Sequence, residues 1–290
     1  MNALVVCALT CALAPAPRSA ARMGARGMHD LLIVGTGTLG SLAAKQWRES
    51  FPEARIVGET RSDTRHDSLR AAGIEPRLRG TGAMEAFPNV LICFAPGGND
   101  DFPSEVKSAL AAWDRSGGCA FTSSGGVFAE SDGGVVDEDS ATDSTPRSVR
   151  LLAAERHVLD AGATVVRLAG LYTATRGAHS FWLSRDTVEQ WEGGIINLLH
   201  YEDAASGTLA AIRGKVGPKV LLLSDDAPLT RAEIVAAALT SSLYARATPP
   251  AFTEPPSPNA RGKVYSTART RALLDWTPMH PDFRTFMAST

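Results

Sequence analysis

The 290-residue sequence predicts an α/β fold built on a doubly wound parallel sheet, with a small C-terminal lobe. Two observations predict it. From Asp30 to Gly170, short apolar runs alternate with segments of helical period, as expected for parallel strands joined by right-handed helical crossovers. Apolar residues make up 44% of the chain and charged residues 21%, which is a globular composition with enough material for a core.

Each element of this first part has a local reason. The run 89–95 is apolar at nearly every position, as a central parallel strand should be. The helix at 39–50 places Leu42, Ala43 and Trp47 on one face, and Pro146 suits the first turn of a later helix. Strands are predicted at 31–35, 54–60, 74–78, 89–95, 119–124 and 164–170. Helices are predicted at 39–50, 68–72, 105–113 and 146–160.

After Gly170 the alternation becomes less regular. Thr230 and Glu233 form the capping-box pattern at the start of a helix. The segment 248–259 contains five prolines and is predicted to be a loop. Helices are predicted at 180–191, 203–212 and 230–243, and strands at 195–200 and 220–224.

The first 27 residues have the composition of a targeting leader. The apolar run 3–14 resembles the apolar region of a signal peptide, although no basic region precedes it, and it is too short to span a bilayer. The following stretch is rich in Arg, Ala and Ser without an acid, as in organelle transit peptides. We expect an organelle-targeted protein, with the plastid as the candidate organelle. The alternative is an unstructured N-terminus in a cytoplasmic protein whose functional start is near Met28.

Composition also argues against several partners. The formal net charge is −2 and no basic run is present, so nucleic acid is not expected. No segment is expected to span a membrane. Cys7 and Cys11 lie in the leader, and Cys93 and Cys119 lie in or beside predicted buried strands, without a ligand at zinc-site spacing. We therefore expect no metal site and no disulfide scaffold.

A glycine-rich turn carries the first functional signal. It fits the pattern GxGxxG, follows a predicted strand and opens a predicted helix, which is the context that gives the pattern meaning. Such a turn lets backbone amides at a helix start face a diphosphate, so it predicts a dinucleotide cofactor; the alternative is a purely structural turn. Its residues are Gly35, Thr36, Gly37, Thr38, Leu39 and Gly40.

The end of the second strand decides between the two nicotinamide dinucleotides. An acid there accepts hydrogen bonds from the ribose hydroxyls of NAD, whereas an arginine pairs with the 2′-phosphate of NADP. Glu59 and Arg61 are both present, and Ser62 adds a hydroxyl group. We predict NADP with Arg61 and Ser62 as contacts, while Glu59 keeps NAD possible and Arg61 could be an ordinary surface charge. Because ligands bind at the carboxyl ends of parallel strands, further cofactor contacts are expected at Ala95, Pro96, Ser123 and Leu171.

These segments together resemble the extended and atypical short-chain dehydrogenase/reductases, which include nucleotide-sugar epimerases and dehydratases. The resemblance runs from about residue 29 to residue 220 and rests on GTGTLG (35–40), TSSGGVFAESDGGVVDEDS (122–140), VVRLAGLY (165–172) and NLLHYEDAA (197–205). It implies a Rossmann fold, an NAD(P) cofactor and a substrate oxygen held by Ser124. It also implies that 28–170 is the NAD(P)-binding domain and that 171–290 holds the remaining strands and a substrate-side lobe.

The sequence departs from that family at its proton donor, a Tyr followed four residues later by a Lys. Alignment of the helix at 146–160 puts Arg147 and Leu151 at these positions, and no Tyr in the chain has a Lys four residues later. Another group could transfer the proton, the protein could bind its cofactor without chemistry, or the alignment could be shifted. The alternative proton donors are Tyr172, Tyr201, His179 and His200.

We therefore predict an NADP-binding oxidoreductase or epimerase that acts on a small carbonyl, alcohol or sugar-type substrate. The predicted catalytic residues are Ser124, Tyr172 and His200, although Tyr172 could instead pack in the core and His200 could cap strand or helix ends. Asp137, Glu138 and Asp139 are predicted to form a solvated acidic turn. The alternative function is a non-catalytic, NADP(H)-binding redox sensor or scaffold. The oligomeric state is left open.

Overall fold

The computed structural model describes residues 27–81, 85–98 and 101–290. The predicted leader, apart from Gly27, lies outside the described residues. Within the described part of the chain, no helix is both long and apolar enough to cross a membrane.

Up to residue 168 helices separate most of the described strands, and the secondary structure is more mixed beyond that residue. The strands, numbered in chain order, are β1 (Leu31–Val34), β2 (Ile56–Thr60), β3 (Glu75–Leu78), β4 (Asn89–Ile92), β5 (Cys119–Ser124), β6 (Asp132–Val136), β7 (Thr164–Leu168), β8 (Gly170–Tyr172), β9 (Thr187–Val188), β10 (Ile195–Ile196), β11 (Leu198–His200), β12 (Val220–Leu223), β13 (Leu229–Thr230), β14 (Ala251–Phe252) and β15 (Gly262–Tyr265). The helices are α1 (Thr38–Ser50), α2 (His66–Ala71), α3 (Phe102–Leu110), α4 (Pro146–Asp160), α5 (Ala178–Leu183), α6 (Tyr201–Arg213), α7 (Arg231–Ala238), α8 (Ala268–Leu274) and α9 (Phe283–Ala288).

Seven strands form the central sheet in the order β12-β7-β5-β4-β1-β2-β3. All of the neighbouring pairs in this sheet are parallel. The strand order reverses at β1, which lies between β2 and β4, and a crevice forms at the carboxyl ends of strands at such a point. The predicted α/β fold with a doubly wound parallel sheet is confirmed.

Both faces of the sheet are covered, as the buried runs of the strands require. Successive residues of β1 belong to opposite cores: Leu31 and Ile33 pack into one cluster, and Leu32 and Val34 into the other. Helices α1 and α6 pack together, as do α3 and α4, and these pairs contribute to the first and the second cluster, respectively.

A third apolar cluster builds the C-terminal lobe. Its centre contains Tyr172, Trp182, Ile234, Phe283 and Met287, which come from β8, α5, α7 and α9. The lobe meets the sheet at β8, which begins two residues after β7 ends. β8 pairs in parallel with β11. The carboxyl edge of the sheet therefore lies beside the lobe.

Several predicted boundaries after residue 170 are wrong. The predicted helix 180–191 ends at Leu183, and the predicted strand 195–200 is split into β10 and β11, which pair with β13 and β8 outside the main sheet. The predicted helix 230–243 ends at Ala238 and is followed by a 3₁₀ turn at Ser242–Tyr244. The predicted proline-rich loop contains β14, which is held by pairing with β9. Tertiary pairing thus overrides the local pattern in the lobe.

Candidate functional site

The glycine-rich turn has the shape that its sequence predicts. Gly35 has φ +105°, and a Cβ atom at this position would lie 2.6 Å from the backbone nitrogen of Phe94. A Cβ atom on Gly40 would lie 2.5 Å from the carbonyl oxygen of Gly35, so the absence of a side chain lets α1 approach β1 closely. A Cβ atom on Gly37 would meet nothing within 4 Å, because this residue faces open space.

The start of α1 presents unused hydrogen-bond donors to that open space. Gly37 provides no side-chain cap, and no acid lies in the first turn. In the described part of the chain, the amides of Thr38, Leu39 and Gly40 have no hydrogen-bond acceptor. The Thr36 hydroxyl is buried without a partner. Free amides at the positive end of a helix dipole fit an anionic group such as a diphosphate.

A cavity of about 200 Å³ adjoins this turn at the end of β2. Within the described ranges, its charged lining residues are Arg61 and Arg65, and no carboxylate lines it. The Arg61 guanidinium makes only long contacts of 3.3–3.5 Å, to the carbonyl oxygens of Ala95, Gly97 and Gly98. Arg65 donates to the carbonyl oxygen of Thr36 at 3.0 Å. The cavity is lined by Gly35, Thr36, Gly37, Thr60, Arg61, Ser62 and Arg65.

Glu59, the acid that kept NAD possible, is already paired within the protein. One carboxylate oxygen lies 3.0 Å from Arg77 Nη2, and the other lies 3.3 Å from Arg79 Nε. The Glu59 side chain is only 14% exposed. A ribose hydroxyl could bind the Glu59 carboxylate only in competition with the ion pairs that Glu59 forms with Arg77 and Arg79. Arg65 was not predicted as a contact, although its place four residues after Arg61 was a visible signal.

A second cavity, of about 240 Å³, lies at the carboxyl ends of β4, β5 and β7, and we refer to it as the cleft. It brings together five predicted cofactor contacts, namely Leu39, Ala95, Pro96, Ser123 and Leu171, with the predicted catalytic Ser124. The remaining lining residues are Cys93, Phe94, Phe102, Thr122, Arg147, Leu151, Leu168 and Ala169. Residues predicted from distant parts of the sequence thus meet because parallel strands end at one edge of the sheet.

The two serines in the cleft differ in what their hydroxyls do. Ser123 donates its hydroxyl proton to Glu155 at 2.5 Å, and Glu155 also pairs with Arg167. Ser124 accepts a hydrogen bond from the Gly126 amide at 3.1 Å, so its own proton is free to be donated. Ser124 therefore has a hydroxyl proton available for a substrate oxygen, and its catalytic role stays a prediction, while the hydroxyl of the predicted contact Ser123 is bonded to Glu155.

Arg147 and Leu151, which align with the Tyr and Lys of the resembled family, both line the cleft. Leu151 is 5% exposed and packs in the second core cluster. Arg147 is exposed in the first turn of α4. The described lining contains no Tyr, Lys, His or carboxylate. The cleft can hold and orient a ligand, but its side chains offer no ordinary general acid or base.

Tyr172 is not among the residues that line the cleft. Its side chain is fully buried and its ring packs edge-on against His200 and Phe283, with centroids 5.2 and 4.8 Å apart. Burial raises the pKa of its hydroxyl, which has no hydrogen-bond partner among the described residues. This placement matches the packing alternative, and a catalytic role for Tyr172 stays a prediction.

His200 caps a helix. Its Nδ1 accepts a hydrogen bond from the Glu202 amide at the start of α6, and burial lowers its pKa to about 4. Its catalytic role also stays a prediction.

The ligand atoms of His200, Asp203 and His280 lie within 4.8 Å of one another, a grouping that the sequence spacing did not indicate. All three are already engaged: Asp203 accepts from the backbone amides of residues 279 and 280 at 2.6 and 2.9 Å, and His280 lies 3.0 Å from Glu202. These bonds explain the cluster as a structural link between α6 and the segment before α9.

A further hydroxyl near the cleft was not predicted. A Cβ atom on Gly125, the residue after Ser124, would lie 2.5 Å from the hydroxyl oxygen of Tyr265. Burial raises the pKa of Tyr265 to about 12. Tyr265 belongs to β15, a strand that the sequence did not indicate and that is held by pairing with β6.

No protein-family model matches the chain, and no curated protein matches it. Solved structures do resemble it. A functionally unknown conserved protein from Silicibacter pomeroyi is 23% identical with a TM-score of 0.71, over 90% of this chain and 97% of that chain. UDP-glucuronic acid 4-epimerase from Bacillus cereus, solved in complex with NAD, is 14% identical with a TM-score of 0.70, over 89% and 96%. dTDP-glucose 4,6-dehydratase from Bacillus anthracis, also with NAD, is 13% identical with a TM-score of 0.69, over 90% and 95%. The chain thus has the Rossmann-type fold found in NAD-dependent epimerases and dehydratases.

Proposed function

We propose that the protein binds NADP(H) and works as an oxidoreductase or epimerase of the short-chain dehydrogenase/reductase type. Its substrate in this proposal is a small carbonyl, alcohol or sugar-type compound. Three features support the proposal: the free amides at the start of α1, the cleft next to them, and the fold shared with epimerases and dehydratases that were solved with NAD.

The observation that carries the choice of NADP is the contrast between Glu59 and the two arginines beside it. Glu59 is neutralised by Arg77 and Arg79, whereas Arg61 and Arg65 form no ion pair in the described residues. Both face a cavity that adjoins the glycine-rich turn. A 2′-phosphate there would form charge-assisted hydrogen bonds with these guanidinium groups and with the Ser62 hydroxyl.

In the proposed reaction the cofactor supplies or accepts the hydride. The amides of Thr38, Leu39 and Gly40 hold its diphosphate, and the Ser124 hydroxyl donates a hydrogen bond to the substrate oxygen. Apolar side chains of the cleft, such as Phe94 and Leu168, exclude water from one side. The proton is exchanged with solvent, because the described lining has no Tyr, Lys, His or carboxylate to hold it.

Titration with NADP and with NAD tests the proposed cofactor. The R61A and R65A variants should each bind NADP at least about tenfold more weakly, because a hydrogen bond between charged groups is worth about 1.5–3 kcal/mol, and they should bind NAD as the wild type does. Arg70 lies nearby on α2 and pairs only with exposed Asp67, so R70A is the matched control and should change neither affinity. Equal losses for NADP and NAD would mean that the arginines support the fold and do not read the phosphate.

A second candidate is a protein that binds NADP(H) without chemistry, as a redox sensor or scaffold. The cleft favours it, because Leu151 stands there in place of an ionisable group and the described lining contains no Tyr, Lys, His or carboxylate. NADPH deuterated at C4 separates the two candidates. Transfer of deuterium to any aldehyde, ketone or nucleotide sugar supports the enzyme, while tight NADPH binding without transfer across such a panel supports the second candidate.

A further inference from the structure

Arg147 is the one cation among the described residues that line the cleft, and it has no partner. No ion pair or hydrogen bond of its guanidinium group exists in the described structure. Arg150, one turn further along α4, shows the contrast. Arg150 donates to the carbonyl oxygen of Pro96 and lies 5.8 Å from the ring centroid of Phe102, so it fixes the wall of the cleft. The Arg147 guanidinium makes no comparable contact with the described residues.

The other polar side chains of the cleft are donors, and all but one are used internally. Cys93 donates to the carbonyl oxygen of Gly35, Thr122 to that of Ile92, and Ser123 to Glu155. The Ser124 proton is left free. Among the described lining residues, the side chains with unused hydrogen-bond donors are therefore Ser124 and Arg147.

The backbone adds to this positive character. Arg147 is in the first turn of the 15-residue helix α4, where the helix dipole is positive, and this turn contains no acidic residue. None of the lining residues that the structure describes carries a carboxylate. A ligand that fits such a set of donors has oxygen atoms that only accept hydrogen bonds, as in a carboxylate or a phosphate.

We propose that the cleft selects an anionic substrate, whose carboxylate or phosphate group pairs with Arg147 while the Ser124 hydroxyl holds the neighbouring oxygen. The inference rests on the proposed function, since it places this group beside the nicotinamide end of NADP(H). In this proposal Arg147, which aligns with the Tyr of the resembled family, determines the class of substrate that the cleft accepts.

The probes are oxamate, its neutral analogue oxamide, and inorganic phosphate, each titrated into protein saturated with NADPH while the nicotinamide fluorescence is recorded. Oxamate and phosphate compare the two sources of anionic oxygen, and oxamide controls for shape. We expect one or both anions to bind saturably, more weakly as ionic strength rises, and oxamide to bind at least about tenfold more weakly.

Variants of α4 complete the test. R147Q should weaken anion binding at least about tenfold, and R147K should fall between R147Q and wild type, because a lysine keeps the charge but loses the planar pair of donors. Arg156 is exposed on the same helix and outside the cleft, so R156Q is the matched control and should bind anions as the wild type does. Both Arg147 and Arg156 are exposed, so these variants should fold.

The outcomes separate the two proposals. If NADPH binds but oxamide equals oxamate, if R147Q equals wild type, or if no anion binds, then the substrate inference fails and the cofactor proposal stands. If NADPH itself does not bind, the proposed function fails. Thermal shifts of the cofactor-free wild type and R147Q with oxamate and phosphate then decide the inference: stabilisation that needs Arg147 supports an anion site, and its absence overturns it.

Discussion

At the scale of single residues, Glu155 is the buried charge on which the wall of the cleft depends. It accepts hydrogen bonds from Ser123 at 2.5 Å and from Arg167 at 2.8 Å. Glu155 is 3% exposed and Arg167 5%. Removal of one partner from such a pair leaves the other charge buried and unpaired, which costs far more than the pair contributes.

E155A should therefore lower the free energy of unfolding by about 3–5 kcal/mol, measured by urea denaturation. Arg156, the next residue, is exposed, so R156A should change the free energy by no more than about 0.5 kcal/mol. If E155A lowered the free energy of unfolding as little as R156A, Arg167 would not be left as a buried, unpaired charge in the variant.

Asp225 predicts a dependence of stability on pH. It is 3% exposed, one carboxyl oxygen has no hydrogen-bond partner in the described part of the chain, and burial raises its pKa to about 8. An Asp in the unfolded chain ionises with a pKa of about 4. Between these values the folded protein binds more protons than the unfolded chain, so this group makes the free energy of unfolding fall as pH rises.

D225N removes this titration and keeps an oxygen to accept the Ala227 amide proton. Relative to wild type, the variant should gain stability as pH rises from about 5 to about 8, by up to about 1.4 kcal/mol per pH unit, and the gain should level off above that range. Urea denaturation of both proteins at several pH values measures it. Parallel curves for the two proteins would show that Asp225 does not titrate in this range.

At the scale of elements, the sequence was sufficient to predict where a helix begins when a local capping pattern and the apolar pattern of the helix indicate the same start. Helix α4 was predicted at 146–160 and forms at Pro146–Asp160, because Pro146 occupies the first turn and Thr145 accepts a hydrogen bond from the Ser148 amide. The capping box of Thr230 and Glu233 also forms at the start of α7. These interactions involve residues three apart, so the sequence displays them directly.

Elements that depend on distant partners were not visible in the sequence. β6 is a partly exposed segment that is held by β15, more than a hundred residues later. Glu138 shows the same effect within a turn that was predicted to be solvated: it is 7% exposed and pairs with Arg269 at 2.9 Å. Asp139, its neighbour, is exposed as predicted. Burial of one acid in a polar run depends on a partner that the local pattern does not reveal.

The candidate site divides in the same way. The glycine-rich turn and the ends of β4 and β5 could be predicted, because ligand positions in a parallel sheet follow from strand ends. Arg65 was overlooked, although it lies only four residues after Arg61. Tyr265 could not be placed, since it belongs to a strand that forms only by long-range pairing. Tyr172 was predicted from its position after β7, but its side chain points into the core of the lobe.

At the scale of the whole molecule, the sheet does not end where the predicted NAD(P)-binding domain, 28–170, ends. β12 pairs with β7 and forms the edge of the sheet, and α6 packs on α1. A fragment of residues 27–170 would expose the edge of β7 and one face of the first core cluster, which includes Leu209, Ile212 and Leu222.

We therefore expect fragment 27–170 to lack a cooperative unfolding transition and to lose its near-UV circular dichroism, whereas residues 27–290 should show both. The two proteins are compared by thermal and urea denaturation at equal concentration. A sharp, reversible transition in the fragment would show that the first half of the chain folds independently.

The groups that the cofactor's phosphates would meet first are main-chain amides, and no exchange of a side chain removes an amide except exchange for proline. Replacement of Thr38 with alanine leaves its amide in place, so this substitution should not reveal the contact, and the residue at this position can vary while the turn keeps its shape. Nitrogen-15 chemical shifts of these amides, followed while the cofactor is titrated, would detect contacts with its phosphates that side-chain substitutions do not reveal.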